Sequence, residues 1–217
     1  MRKISKKYFL SVEGENELWY FEWLQYMINS SPEADCFVKF DCKVQKDPIK
    51  RVKGIALPGK IEISHIVDRE SEEAVHVTQF TTTLDRMKSA ERIGKNVKYK
   101  LSYSNFAFDL WIVLHKMACN SSLSHRRKYL SSINRAFSEN FENLDQYKHE
   151  SNFKRVLGKI SLDDVRQAIY RSKTIMNTNH ANGYIMHEYK GYNYYKENPS
   201  LSVFEIVECA IIDCGLM

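Results

Sequence analysis

The sequence predicts an α/β fold: a mostly parallel sheet flanked by helices, followed by a helical C-terminal extension. Three observations lead there. Short apolar runs alternate with amphipathic stretches through the first half, in the order β-α-β, β-α, β-α, which is the pattern of strands joined by crossover helices. Two of those runs stop at carboxylates, Glu13 and Asp68. Beyond residue 120 the strand-like runs give way to helix after helix. The expected organisation is an α/β core over residues 1–120 and a helical extension over 121–217 packed on it, as a single domain.

Residues 7–12 form the first strand, closed by Glu13-Gly14. A helix follows over about 16–29, with Leu18, Phe21, Leu24 and Ile28 on one face and Ser30, Ser31 and Pro32 as its stop. Residues 36–44, CFVKFDCKV, alternate as a half-buried strand does. Residues 45–60 read as a lysine-rich loop, long enough to be functional unless it is simply solvated. Residues 61–67 are the third strand, ending at Asp68-Arg69-Glu70. The segment 71–93 is helical in its second half, where Phe80, Leu84 and Met87 recur, with Gly94 as a stop. In the fourth strand, 97–103, Val97, Tyr99, Leu101 and Tyr103 face one way and Lys98 and Lys100 the other.

Residues 106–117, FAFDLWIVLHKM, are apolar nearly all round and predict a buried helix with Asp109 and His115 as polar exceptions. Ser124 is placed to cap HRRKYLSSINRAF, and Ser161 with Asp164 resembles a capping box. The polar stretch 140–152 between them has room for a short turn of helix. Residues 180–198 are polar and tyrosine-rich, and 201–213 form a last amphipathic helix ending near Gly215.

The net charge of +5 is compatible with a nucleic-acid partner without requiring one. Five scattered cysteines with no CxxC pair argue against structural zinc and for buried thiols in a reducing cytoplasm. No apolar run approaches a membrane span, and the run after the basic first seven residues is too short for a secretory signal. Glycine-rich phosphate loops, HExxH and GxSxG are all missing, which counts against a nucleotide phosphotransferase and weakens hydrolase classes other than metal-dependent ones. Alternate residues of an extended chain point to one side, so Asp68 and Glu70 can present oxygens together. Hard oxygen donors suit Mg²⁺ or Mn²⁺, with water and phosphate completing the shell. Crowded carboxylates raise one another's pKa, and a bound cation removes that penalty. Each of these acids alone reads as an ordinary strand-end polar residue; three at two strand ends of one small domain point to a site.

Glu13-Gly14 after one strand and Asp68-Arg69-Glu70 after another resemble the Toprim fold, the metal-binding domain of topoisomerases, primases and several nucleases. A narrower resemblance follows from four segments in order: EGENELWYF, VDRE, SNFAFDLWIVLHK and NPSLSVFEIVE. They are similar to the RloB-like family, associated with bacterial restriction and abortive phage infection and related to the AbiLii proteins. Ser104, Asn105, Phe108, Leu110, Trp111 and His115 stand at the family's spacing, while Phe106 replaces its proline and Asp109 its glutamate. The likeness spans residues 8–208.

That resemblance implies a Toprim-like core and a set of roles. Glu13 would be a metal ligand or a general acid/base, and Asp68 and Glu70 metal ligands, with Mg²⁺ or Mn²⁺ as cofactor. The second site glutamate is Glu15 or Glu17; counting back from Tyr20-Phe21 favours Glu17 as catalytic. His115 is either catalytic or a core histidine bonded to a carbonyl, and Asp109, Arg69, Ser104 and Asn105 line or support the site, Arg69 or a lysine being a candidate partner for Asp109. Lys98, Lys100, Arg126 and Arg127 are the substrate-binding candidates, and the tyrosines of 184–196 are open between base stacking, partner contact and packing. The implied activity is a nuclease on RNA (tRNA included) or DNA, acting in the cytoplasm as an antiphage effector with a partner ATPase. The alternative is a catalytically inactive binding subunit of a defence complex. An oligomer is left open.

Overall fold

The strand ends that carry Glu13 and Asp68 lie side by side because of how the sheet is ordered. The computed structural model describes residues 3–55, 59–93, 96–119 and 126–217, leaving aside the side chain of Arg126. Among these, β1 (Ile4–Val12), β2 (Cys36–Val44), β3 (Ile61–Arg69) and β4 (Val97–Asn105) form one parallel sheet in the order β2-β1-β3-β4. β1 and β3 are therefore central, and the chain leaves β1 towards β2 on one side while β3 flanks it on the other. Such a reversal opens a crevice at the carboxyl ends of the strands. The α/β, Toprim-like expectation agrees with this architecture.

Helices α1 (Glu15–Ser30), α2 (Pro48–Lys53) and α3 (Ala74–Ala90) connect the strands. The predicted lysine-rich loop thus contains a helix. Asp47 caps it by accepting from the Ile49 N–H, and Pro48 opens it. The Arg51 guanidinium of α2 is buried and donates to the Leu10 and Asp41 carbonyls and to Asp41 Oδ1. The expected helix stop at Gly94 and the expected cap at Ser124 lie outside the described residues.

β3 and β4 each run two residues further than their apolar patterns suggest, pairing Asp68 with Ser104 and Arg69 with Asn105. The chain then turns sharply at Phe106, whose φ is +64°, and enters α4 (Asp109–Lys116). After a single 3-10 turn at Arg126–Lys128 come α5 (Tyr129–Phe137), α6 (Leu144–Lys148), α7 (Glu150–Leu157) and α8 (Leu162–Ala181). The polar stretch 140–152 is thus more helical than its composition implies, with Asn143 capping α6. The capping box of Ser161 and Asp164 at the head of α8 is complete.

One sheet face packs against α1, α4 and the later helices in a continuous core that includes Leu10, Phe21, Trp111, Ile133, Ile169 and Val207. The other face packs Ile63, Val67, Leu84, Met87 and Tyr99. Tyr194 joins this second core from a hairpin, β5 (Met186–Tyr189) and β6 (Tyr192–Tyr195). Lys190 and Gly191 both have positive φ in its two-residue turn. Tyr192, Tyr194 and Tyr195 are buried and the Tyr189 hydroxyl donates to Asp85, so these tyrosines serve packing. The chain closes with α9 (Phe204–Asp213). A disulfide joins Cys36 of β2 to Cys214 just beyond α9, which corrects the expectation of five separate thiols.

The segment after the hairpin clamps the far end of β4. Ser202 N–H donates to the Tyr103 carbonyl at 2.8 Å, and Asn105 N–H to the Ser200 carbonyl at 2.9 Å. The buried Asn105 amide nitrogen lies within hydrogen-bond reach of the Tyr195, Lys196 and Glu197 carbonyls and of Ser200 Oγ. Removing that amide strands several buried acceptors, each costing about 1–3 kcal/mol. Asn105→Ala is expected to lower Tm by roughly 6–12 °C, from a loss of about 3 kcal/mol. A thermal melt that matches the wild type would remove the clamp's structural role.

Candidate functional site

Four acids from four elements meet at the carboxyl ends of the central strands. Glu13 follows β1 directly, and its Oε2 accepts the Asp68 backbone N–H at 3.2 Å, which bridges the ends of β1 and β3. Gly14 follows because a Cβ there would stand 3.0 Å from Glu17 Oε2. Glu17 is the third residue of α1, buried, with its carboxylate folded back onto its own N–H. The exposed N–H groups of a helix N-terminus favour a negative group there. Glu15 faces solvent, so Glu17 is the second glutamate of the cluster.

Asp109 opens α4 and is only 3% exposed. Its Oδ2 has no hydrogen-bond partner among the described residues and lies 3.6 Å from Lys148 Nζ of α6. The partners of Asp109 are thus Lys148 and the buried Tyr147 hydroxyl, and not Arg69. Burial is the main cause of every shift in the cluster. It pushes the Glu17 carboxyl up to about 6, helped by the charges of Glu13 and Asp109 and opposed by its own N–H and Lys148. Asp68 is raised well above the carboxylate range by burial, then by Glu17 and Glu13. Glu13 is raised by burial and by Glu70, against the Asp68 N–H and Lys46.

A cleft of about 380 Å³ opens beside these groups, lined by Glu13, Asp68 and Glu70 with Lys46 and the facing side of α3. Glu70 Oε2 lies 3.6 Å from His76 Nε2, while His76 Nδ1 bonds the Ser71 hydroxyl at 2.7 Å. Among the described residues no three acidic, imidazole or thiol groups are arranged to ligate one ion by themselves.

Residues 8–209 match the family model described as RloB-like protein. The chain belongs to the RloB-like family. No curated protein and no solved structure matches it. The four acids of the cluster all come from segments that carry the RloB-like resemblance: Glu13 and Glu17 from the first, Asp68 from the second, Asp109 from the third. The fourth, Asn198-Pro199-Ser200, supplies the clamp on Asn105.

Other RloB-like positions hold the scaffold. His115 is buried against α1, and both ring nitrogens are occupied. A carbonyl can only accept, so Nδ1 donates to the Trp111 carbonyl at 2.9 Å and Nε2 accepts the Tyr20 hydroxyl at 3.1 Å. Burial pushes its pKa down to about 4, so the ring is neutral and the catalytic expectation for His115 is corrected to a structural one. Arg69 points away from the acids, donates to the Lys196 carbonyl and Glu72, and lies over the Tyr194 ring. Ser104 and Asn105 are buried under the clamp, as supports.

Lys98 and Lys100 are corrected too. They lie in the first half of β4, roughly 20 and 13 Å along the strand from Ser104 at about 3.3 Å per residue. Lys100 pairs with Glu62 there, at the end of the sheet away from the acids. Arg127 fits better: it lines a second groove, of about 580 Å³, together with Lys148, Glu142 and Asp145. Arg126 opens the 3-10 turn beside it. Two residues escaped sequence reading. Lys148 sits in a polar stretch with no motif around it, and His76 was one histidine among seven.

The raised carboxyls set a pH dependence. With a folded pKa of about 6 against an ordinary 4.5, Glu17 holds a proton in the folded chain that the unfolded chain has lost. Its stabilising contribution is therefore complete below 4.5 and disappears as pH rises through 6. Glu17→Gln is expected to raise Tm at pH 7.5 in EDTA by a few degrees, on the order of 1 kcal/mol. The gain should shrink at pH 5; an equal gain at both pH values would mean the carboxyl is not the cause.

Proposed function

We propose that this RloB-like protein is a metal-dependent phosphodiesterase that cleaves nucleic acid. The observation that carries the reading is the cluster of Glu13, Glu17, Asp68 and Asp109 at the sheet's crevice, in which burial and neighbouring carboxylates raise Glu13, Glu17 and Asp68. Like charges are gathered there at a cost that core packing does not explain, and perturbed acids in a cleft are a mark of functional sites.

The donors fit a hard divalent ion. They are all oxygens, and Asp109 Oδ2 is buried without a hydrogen bond among the described residues. Since no three groups form a ready-made cage, Mg²⁺ or Mn²⁺ would take one or two of Glu13, Asp68 and Glu70 and keep water and phosphate oxygens as further ligands. When bound, such an ion would supply positive charge against the negative charge that develops at the phosphate and would make a water more acidic. The chain's own contributions are separate. Glu17, at about 6, gains or releases a proton near neutral pH. Lys148 offsets the charge on Asp109 and Glu17. The Asp68 N–H holds Glu13 in place.

Family membership supports placing this activity in antiphage defence, with RNA, tRNA among the candidates, or DNA as target and a partner ATPase controlling release. No helix among the described residues is long and apolar enough to cross a membrane. A second reading, a non-catalytic nucleic-acid-binding subunit, is favoured by the lack of a preformed three-ligand cage.

One assay separates the two. Purified chain is incubated with tRNA, single-stranded DNA and plasmid in Mg²⁺, Mn²⁺ or EDTA, with and without the partner ATPase. Cleavage is expected only with metal, and Glu13→Gln and Asp68→Asn are each expected to reduce it about 100-fold or more without lowering Tm. Cleavage that survives both substitutions would sink the site, and no cleavage in any arm would leave the binding subunit.

A further inference from the structure

We infer that the cleft beside Glu13 and Asp68 is a nucleoside pocket that takes one unpaired residue of a single-stranded nucleic acid, with Gln79 and Thr82 of α3 as its recognition contacts. This rests on the phosphodiesterase reading above and adds the form of substrate.

The two walls of the cleft differ in chemistry. One carries Glu13, Asp68 and Glu70. The other is the face of α3 that presents His76, Gln79, Thr82 and Thr83, positions three and four apart that share one side of a helix. No lysine or arginine of α3 lines the cleft; Arg86, one turn further along this face, is paired with Asp47, and the cleft's one basic lining residue, Lys46, is exposed beyond the end of β2. A sugar-phosphate backbone is recognised by cations, so the α3 wall is badly suited to phosphate. A carboxamide, which both donates and accepts, and hydroxyl groups are suited to a base edge and a sugar.

The hydroxyls are not equivalent. Thr83 Oγ1 donates to the Gln79 carbonyl and Thr78 Oγ1 to the Ala74 carbonyl, so those protons are engaged within α3. Among the described residues the Gln79 amide and the Thr82 hydroxyl have no such partner and remain available to a ligand. Val67 and Phe80, both buried in the second core, supply the apolar part of the cleft's lining. At about 380 Å³ the space lies at the small end of ligand pockets, the size class of a single nucleoside.

Depth decides between single strand and duplex. Glu13 and Asp68 line the cleft partly buried, whereas Gln79 and Thr82 are exposed, so a phosphate that reaches the acids brings its own nucleoside in with it. In a duplex that nucleoside is stacked and paired and has to be extruded first, whereas in a single strand it is free to enter. Lys46 is then positioned for a neighbouring phosphate.

Binding tests the pocket independently of cleavage. Fluorescence anisotropy in Ca²⁺ would compare the full chain with a 12-nucleotide single-stranded RNA, the same sequence as DNA, and the duplex of each. Gln79→Leu and Thr82→Val are measured beside Lys46→Ala and the distant Lys98→Ala. Single strands are expected to bind about tenfold or more tightly than duplexes, with a weakening of about three- to tenfold for Gln79→Leu and Thr82→Val. Those two should keep the wild-type salt slope, Lys46→Ala should lower it by about 0.7, and Lys98→Ala should change nothing. A Thr82→Val effect on RNA alone assigns that hydroxyl to the ribose, and an equal effect on DNA assigns it to the base. Duplexes bound as tightly as single strands, or wild-type binding by both α3 variants, would overturn the pocket even if the chain cleaves. A pocket that binds as described in a chain that never cleaves would leave the pocket standing and remove the nuclease.

Discussion

Mutual repulsion among buried carboxylates is the constraint around which this fold is arranged. Two unit charges 4 Å apart repel by about 4 kcal/mol at the effective dielectric of a protein surface. Glu17 and Asp68 are raised in such a setting by burial and by the neighbouring acids, Asp109 among them, and several features keep the four together. The Asp68 N–H holds one oxygen of Glu13. The first turn of α1 holds Glu17 against its own N–H. Lys148 reaches in from α6 towards Asp109. No one of these neutralises the cluster.

The placement of Asp109 links the site to the far end of the chain. Asp109 follows β4 by four residues, through the left-handed turn at Phe106. The Phe106 N–H donates to the Arg69 carbonyl, and Asn105 is held by the segment from Tyr195 to Ser200. Tyr129 adds a further contact by donating to the Asn105 carbonyl and Asn198 Oδ1. Ser104-Asn105 and Asn198-Pro199-Ser200 are therefore two halves of one clamp, 93 residues apart, that sets the direction in which α4 starts. A damaged clamp would move Asp109 without touching a single acid of the site.

What could be read from the sequence was whatever has a local signature. Period-two and period-3.6 patterns located the strands and long helices, and an acid at the end of an apolar run stood out at Glu13 and Asp68. The Glu15 or Glu17 question needed only the helix phase, since α1 buries Leu24 and Ile28 on the face that carries Glu17. Features made by long-range meetings were hidden. Lys148 looks like any surface lysine until α6 is docked beside α4, and Cys36 and Cys214 are 178 residues apart. His115 misled because its neighbours match a family pattern, while its role depends on Tyr20 and the Trp111 carbonyl. The hairpin did have a local signal, Lys190-Gly191 between two short tyrosine runs, but its alternation was masked by polar residues on the outer face.

His65 shows the same logic in reverse. It lies in the middle of β3, fully buried, with neither ring nitrogen hydrogen-bonded among the described residues, and burial pushes its pKa down to about 4. An imidazole that is neutral when folded and free to charge when unfolded removes stability as pH falls from 6.5 towards 4. The acids act in the opposite direction over an overlapping window, because Glu17 gains its stabilising proton as pH falls through 6. His65 and His115 together oppose what the carboxyl cluster gains on acidification. In the acid arm, therefore, the fold depends on two buried imidazoles staying neutral. Near neutrality it depends on how the acid cluster is accommodated, by the raised carboxyls of Asp68 and Glu17 and by Lys148 beside Asp109.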